Sequence, residues 1–321
     1  MDILLQLVLV VVGFVMLVKG ADWFVDGAAG IAERFGIPQL VIGLTIVAMG
    51  TSAPEAAVSI SAAFKGTADI TVGNVVGSNI LNILIILGLT AVIVAVPVQV
   101  STVRYEIPFM ILITGVLLVL GLTGNEIGRV EGGIFWVLFI LYLLYLLRMT
   151  KNQKTQEAEE EKKSEKGNVG SLLLLLIIGI VLVVLGSDVA VDAATELAKI
   201  VGLSEKFIGL TVIALGTSLP ELVTSVAAAR KGKADIAIGN IVGSNIVNIL
   251  FVVGTTALIT PVPFAADFTN WTGFSVDMLV AIVAAVLLLI CVLKKKKLVR
   301  SHGVIMLLVY AAYFVYLLIG K

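Results

Sequence analysis

Residues 36–82 of this chain recur, with no insertion or deletion, as residues 202–248. About 27 of the 47 paired positions are identical, so the stretches are copies of one unit. The first copy contains GTSAPE (50–55) and GNVVGSNILN (73–82); the second contains GTSLPE (216–221) and GNIVGSNIVN (239–248). Equivalent residues are 166 positions apart: Glu55 and Glu221, Asn74 and Asn240, Ser78 and Ser244, Asn82 and Asn248. Both copies lie within long apolar stretches. A carboxylate at membrane depth is costly, and by default it marks an ion or substrate path.

The apolar stretches fix the class. Hydrophobic residues make up 59% of the 321 and charged residues 14%, far fewer charges than a soluble domain carries. Five segments long enough to cross a bilayer fall in each half. They run 3–33, 38–64, 69–95, 104–122 and 132–149, then 170–199, 204–229, 235–261, 274–293 and 303–319. None shows the short alternation of a membrane β-barrel. The first has no basic flank or small-residue cleavage site and is expected to be retained. The expected fold is an all-α polytopic membrane protein of ten transmembrane helices. A charged linker, 151–170, separates a first five-helix repeat (1–150) from a second (171–321).

An odd number of helices per repeat forces the second copy to enter the membrane from the opposite side. The halves are then inverted repeats about an axis in the membrane plane. Lysine and arginine set the orientation. About 16 of the 22 basic residues fall in one set of loops: Arg34, Arg104, Arg148, the linker lysines, Arg230, Lys231, Lys233, Lys294–Lys297 and Arg300. That set is expected in the cytoplasm, with both termini outside.

Pro54 and Pro220 lack an amide proton and clash with the carbonyl four residues back. Helices 2 and 7 are therefore expected to break at GTSxPE. Such a break is tolerated in a membrane only beside protein or a water-filled cavity. The carbonyls of Ala48 and Ala214 and the hydroxyls of Thr51, Ser52, Thr217 and Ser218 become candidate ligands. In the following helix Asn74, Ser78 and Asn82 repeat every four residues and share a face, as do Asn240, Ser244 and Asn248. Asn74 and Asn240 suit helix–helix bonding as well as coordination. Gly73 with Gly77, and Gly239 with Gly243, have the spacing that admits close helix approach.

Every ligand in this set, with Glu55 and Glu221 at its centre, is an oxygen. Oxygen ligands suit hard cations such as Ca²⁺ and Na⁺ rather than zinc, copper or iron. Two glutamates balance Ca²⁺. Na⁺ is of similar size with half the charge and would use overlapping oxygens. Two ions competing for one alternately exposed site constitute antiport. The single cysteine, Cys291, excludes an internal disulfide and argues against a thiolate metal site, and the single histidine, His302, sits in a basic loop. The simpler alternative, that the glutamates are packing devices, fits poorly with their symmetry and with the helix break before each.

The paired motifs resemble the α-repeats of the sodium/calcium exchanger family, in the cation/calcium antiporter superfamily. The resemblance covers nearly the whole chain, and the short central loop looks like that of a prokaryotic member. It implies that Glu55 and Glu221 are carboxylates shared by Ca²⁺ and Na⁺. Thr51, Ser52, Thr217, Ser218, Ser78 and Ser244, with the carbonyls of Ala48 and Ala214, would complete the sites, and Asn82 and Asn248 would sit mid-cavity. Several relatives, potassium-dependent ones among them, carry Asp where this chain has Asn248, which points to potassium-independent exchange. By this resemblance the ions would be the substrates of a multi-pass cell-membrane protein acting as a monomer, with no cofactor, nucleic-acid partner or enzymatic reaction expected. Proton/calcium antiport is the alternative. A cation channel is disfavoured because filters usually form on an axis between subunits. An intramembrane enzyme lacks a nucleophile–base arrangement.

Outside the motifs, Asp22 and Asp26 match Asp188 and Asp192. The expectation is a polar stretch of tilted helix nearing the headgroups, with ion entry or gating as the alternative; Lys19 has no repeat counterpart and is expected either to snorkel or to pair with Asp22.

Overall fold

The computed structural model describes residues 3–157, 168–203, 212, 214–269 and 272–319. Linker residues 158–167 and most of the opening of the segment expected at 204–229 lie outside this set. The protein is nearly all helical. The helices are α1 (Ile3–Phe35), α2 (Gln39–Thr51), α3 (Ala53–Phe64), α4 (Ile70–Ile93), α5 (Thr102–Gly124), α6 (Arg129–Glu157), α7 (Val169–Ile200), α8 (Ala214–Thr217), α9 (Leu219–Arg230), α10 (Ala234–Ile259), α11 (Ser275–Leu293) and α12 (Arg300–Ile319). Among the described residues, eight helices are long and apolar enough to cross a membrane, and α2 with α3 makes a ninth when counted as one bent span. Outward-facing Ile290 and Leu308 are 63% and 64% exposed, which fits a lipid-facing surface rather than an aqueous one.

The chain divides into two compact units, 1–51 with 150–240 and 52–149 with 241–321. Each joins segments from both repeats. In the first unit α1 packs along α7. A Cβ at Gly13 would lie 2.7 Å from the Ala190 nitrogen, one at Gly20 2.8 Å from the Gly179 oxygen, and one at Gly27 2.6 Å from the Leu176 nitrogen. Contacts that run down one helix as they run up the other make the pair antiparallel. Gly13 and Gly20 are the repeat equivalents of Gly179 and Gly186. The two opening helices thus pack through the same residues in opposite directions, as inverted repeats require.

The second unit shows the same reciprocity in its loops. β1 (Val96–Pro97) pairs antiparallel with β6 (Lys297–Leu298), and β2 (Glu126–Ile127) with β3 (Val262–Pro263). In each ladder, the loop after the third helix of one repeat meets the loop before the fifth helix of the other. A third ladder joins β4 (Ala266–Asp267) to β5 (Thr272–Gly273).

Where the polar motifs lie, the helices depart from regular winding. α2 contains a π-helical turn at Gly43–Val47, and α4 and α10 contain π turns at Asn82–Leu87 and Asn248–Val253. Such turns loosen the backbone ladder and recur at functional sites. Two threonines, equivalent in the repeats, return hydroxyls to these turns: Thr90 to the Ile86 carbonyl at 2.7 Å and Thr256 to the Val252 carbonyl at 2.8 Å.

Candidate ion-binding site

The break expected at GTSxPE is present in both repeats. α2 and α3 meet at Ser52 with a bend of 50°, and Ser218 separates α8 from α9. Pro54 and Pro220 fall in the first turn of the helix that follows, where a missing amide proton costs least. This places Glu55 and Glu221 in the first turns of α3 and α9, where the helix dipole favours a negative charge.

The residue four before each proline is a glycine, and Gly216 shows how its carbonyl is satisfied. Ser187, reaching from α7, donates its hydroxyl to that oxygen at 2.8 Å. The freed carbonyl expected at Ala214 thus has a neighbour at Gly216 that is already capped. Proximity to the proline alone does not decide which oxygens are open to a ligand. Ala48 is fully buried, and the Thr51 hydroxyl lies 3.3 Å from its carbonyl.

Both motif glutamates are 0% exposed, as are Thr51, Asn82, Asn248 and Ser244; Ser52, Ser218 and Ser78 are buried, and Thr217 is partly so. In the first unit Thr51 donates to Asn240 Oδ1 at 2.9 Å. Asn240 Nδ2 donates to Ser225 Oγ at 2.9 Å and to the Glu221 carbonyl at 3.4 Å. A hydroxyl that gives its proton to Asn240 offers lone pairs to a cation beside it. In the second unit Asn74 makes the equivalent pair of bonds, to Ser59 Oγ at 2.9 Å and the Glu55 carbonyl at 3.1 Å. The nitrogens of Asn74 and Asn240 therefore tie the glutamate-bearing helix to the next. Ser59 and Ser225, not singled out above, are visible in the sequence as another pair 166 apart.

The second unit also holds a network of four amides. Ser78 Oγ donates to Glu55 Oε1 at 3.2 Å and receives Asn248 Nδ2 at 3.4 Å. Asn248 Nδ2 also donates to Asn79 Oδ1 at 3.0 Å, and Asn82 Nδ2 donates to Asn245 Oδ1 at 2.9 Å. The Oδ1 atoms of Asn82 and Asn248 are buried and accept no hydrogen bond among the described residues. A buried acceptor left in that state costs about 1–3 kcal/mol. Asn79 and Asn245 were missed in the sequence because they lie off the i, i+4 face, although they too are a repeat pair.

Gly239 makes the close approach that its spacing admits, its Cβ position lying 3.0 Å from Gly43 Cα, whereas a Cβ at Gly77 would meet nothing within 4 Å among the described residues. Asp22 pairs with Lys231 at 3.2 Å rather than with Lys19, and Asp26 shares the same ammonium at 2.9 Å. Lys231 is in the turn after α9, far from Asp22 in sequence, so local spacing could not indicate the pair.

The family model described as sodium/calcium exchanger protein matches residues 5–148 and 171–319. The chain belongs to the sodium/calcium exchanger family. It is 31% identical to the sodium/calcium exchanger MaX1 of Methanosarcina acetivorans, covering 98% of this chain and 99% of that one. Identity is 38% to the putative antiporter CaxA of Alkalimonas amylolytica, over 97% and 98% of the two chains, and 38% to the inner membrane protein YrbG of Escherichia coli, over 88% of each. A structure of the sodium-calcium exchanger NCX_Mj superposes with a TM-score of 0.82 at 33% identity, covering 98% of this chain and 99% of that one. This exchanger-family chain is therefore a multi-pass membrane antiporter of cations against Ca²⁺, built on inverted repeats. The expected prokaryotic affinity holds, since these relatives are bacterial and archaeal.

Proposed function

We propose that the protein exchanges Na⁺ for Ca²⁺ by alternating access, and that Glu55 and Glu221 together hold the transported ion. The observation that carries this reading is the pair of buried amide oxygens, Asn82 Oδ1 and Asn248 Oδ1, in the same polar network as the buried carboxylate of Glu55. An ionised carboxylate costs several kcal/mol to bury, and a cation bound between two such groups offsets that cost. Ca²⁺ takes six to eight oxygens at roughly 2.3–2.6 Å. Thr51, Ser52, Thr217, Ser218, Ser78, Ser244, Asn82 and Asn248, with the carbonyls of Ala48 and Ala214, are the proposed neutral donors around the two glutamates. None of them is sulfur or imidazole, which argues for hard cations.

Both ions would need the same two carboxylates, so occupancy by Na⁺ excludes Ca²⁺ and the fluxes are coupled. One chain carries both copies of the motif, so a monomer suffices. The termini are proposed to lie outside and the linker in the cytoplasm. The ion pair of Lys233 with Glu33 at 2.9 Å supports one part of this, that the loop after α9 and the end of α1 share a side; which side is cytoplasmic rests on the basic-loop count.

Purified protein in sealed liposomes, with Na⁺, K⁺ and H⁺ gradients imposed in turn, tests the reading. Ca²⁺ uptake driven by an outward Na⁺ gradient, and lost in Glu55→Gln and in Glu221→Gln, is the expected result. Uptake driven by a proton gradient and indifferent to Na⁺ would make the counter-ion H⁺. Uptake that ignores every gradient would reject coupled antiport.

A further inference from the structure

We propose that Asn79 and Asn245 are positioning residues that dictate which end of the Asn248 and Asn82 amides faces the transported ion. The inference rests on reading Asn82 and Asn248 as ion ligands. It follows from donor and acceptor chemistry carried around the ring. A main-chain carbonyl can only accept a hydrogen bond. Asn79 Nδ2 lies 3.3 Å from the Asn245 carbonyl, and Asn245 Nδ2 lies 3.2 Å from the Asn79 carbonyl. Each carbonyl therefore fixes a nitrogen, and each fixed nitrogen turns Oδ1 of its own amide the other way.

Those oxygens meet the next two amides. An Oδ1 also only accepts, so its partner must present nitrogen. Asn248 does so to Asn79 Oδ1 at 3.0 Å, and Asn82 to Asn245 Oδ1 at 2.9 Å. The end left over on Asn82 and Asn248 is oxygen in both cases, buried and accepting no hydrogen bond among the described residues. If either amide turned over, oxygen would face oxygen in the ring and an N–H would face the cation. Two backbone carbonyls thus set the polarity of the Asn82 and Asn248 amides through residues that are not themselves ligands.

The π turns add the second element. Asn82 and Asn248 are the first residues of the two π turns, at the end of the regular stretch that carries Asn79 and Asn245. The spacing of three residues puts each ring member one turn before a ligand on its own helix and opposite the ligand on the other. The equivalence of 79 with 245 and 82 with 248 makes the device two-fold, so both amides are set by the same pair of contacts.

The test compares Asn79→Asp with Asn79→Leu in purified protein, reading Ca²⁺ binding by calorimetry alongside KM and turnover in liposomes. Buried and protonated, aspartate keeps an oxygen for Asn248 Nδ2 and an O–H for the Asn245 carbonyl; leucine leaves neither. Loss of an orienting hydrogen bond of ordinary strength predicts about tenfold weaker Ca²⁺ binding and higher KM in Asn79→Leu, with no more than about threefold in Asn79→Asp. Equal loss in the two variants would make Asn79 a helix-bonding residue only and overturn the proposal, as would wild-type binding in a folded Asn79→Leu. If the leucine variant fails to fold, Asn245→Asp and Asn79→Asp are read against wild type, and a loss beyond threefold in either overturns it. Asn82→Ala and Asn248→Ala separate the two levels. If both leave Ca²⁺ binding intact, the ligand reading itself fails. If they abolish binding while Asn79→Leu does not alter it, only the positioning role fails.

Discussion

Ser187 on α7 donates its hydroxyl to the carbonyl of Gly216, the residue four before Pro220, at 2.8 Å. A proline in a helix leaves that carbonyl without its usual amide partner, and inside a membrane water does not replace it. The repeat equivalent of Ser187 is Ala21, so the first repeat has no matching hydroxyl at Gly50. The two broken helices share a sequence phrase but not the device that supports it.

Ser187→Ala should therefore lower the stability of the purified protein by about 1 kcal/mol, within the range for an interhelical hydrogen bond in a membrane protein. Ser187→Thr should keep most of it, because the hydroxyl survives. Thermal unfolding in detergent, with and without Ca²⁺, measures both. An alanine variant as stable as wild type would mean that another donor takes over Gly216.

The seam between α1 and α7 gives a steric prediction. A Cβ at Gly179 would lie 2.4 Å from the Phe24 backbone nitrogen, an atom that cannot swing aside. Gly179→Val should cost at least about 1–3 kcal/mol as overpacking, or prevent folding. Gly115→Ala on α5 is the control, since its Cβ would meet nothing within 4 Å among the described residues. Relieved of the entropy cost of glycine in a helix, that variant should be neutral or more stable by up to about 1 kcal/mol. Size-exclusion profiles and unfolding midpoints distinguish the two.

Among the described residues, the segments read from hydropathy start and end within a few residues of the helices, the start of the one expected at 204–229 lying outside them. α6 runs on to Glu157, a helical stretch inside the charged linker, because polar residues such as Lys151 and Gln153 carry no hydropathy signal yet are good helix formers. The inverted topology was legible because the repeat length contains an odd number of segments. The π turns were not, since Asn82–Leu87 has ordinary helical composition. Among the site residues, the ones in register with the phrases were visible, including Glu55, Glu221 and the Asn–Ser–Asn faces. Asn79 and Asn245 carried the same 166-residue signal but matter through contacts with backbone carbonyls, which no spacing rule describes. Ser187 carried no repeat signal at all.

Lys231 holds the turn after α9 against α1 through three oxygens: the Asp22 carbonyl at 2.9 Å, Asp22 Oδ1 at 3.2 Å and Asp26 Oδ1 at 2.9 Å. The group is partly exposed, so the ion pairs should add no more than about 1 kcal/mol to stability. Lys231→Met should then change the transport rate by a few-fold, with the Ca²⁺ KM within twofold of wild type. The charge exchange Lys231→Asp with Asp26→Lys should return the rate toward wild type. Rates at low and high ionic strength should converge for the wild type and Lys231→Met, because salt screens exposed pairs. A large change in Ca²⁺ KM in the single variant would show that this cluster acts on ion binding rather than on helix movement.

Asn248→Asp tests the amide ring from the ligand side. Asn248 gives its nitrogen to Asn79 Oδ1, and that oxygen is turned toward it because Asn79 Nδ2 is held by the Asn245 carbonyl. An ionised aspartate would bring a carboxylate oxygen against an oxygen that cannot turn away without leaving the Asn245 carbonyl unsatisfied. A protonated aspartate has an O–H to donate and restores the contact. The variant should therefore exchange best at low pH and lose rate relative to wild type as pH rises and the proton leaves. Ca²⁺ uptake by liposomes at a series of equal internal and external pH values gives the profile. Combining Asn248→Asp with Asn79→Ala removes the opposing oxygen and should flatten it. A profile that stays steep in the double variant would place the pH sensitivity elsewhere, in the direct competition of protons with Ca²⁺ for the new carboxylate.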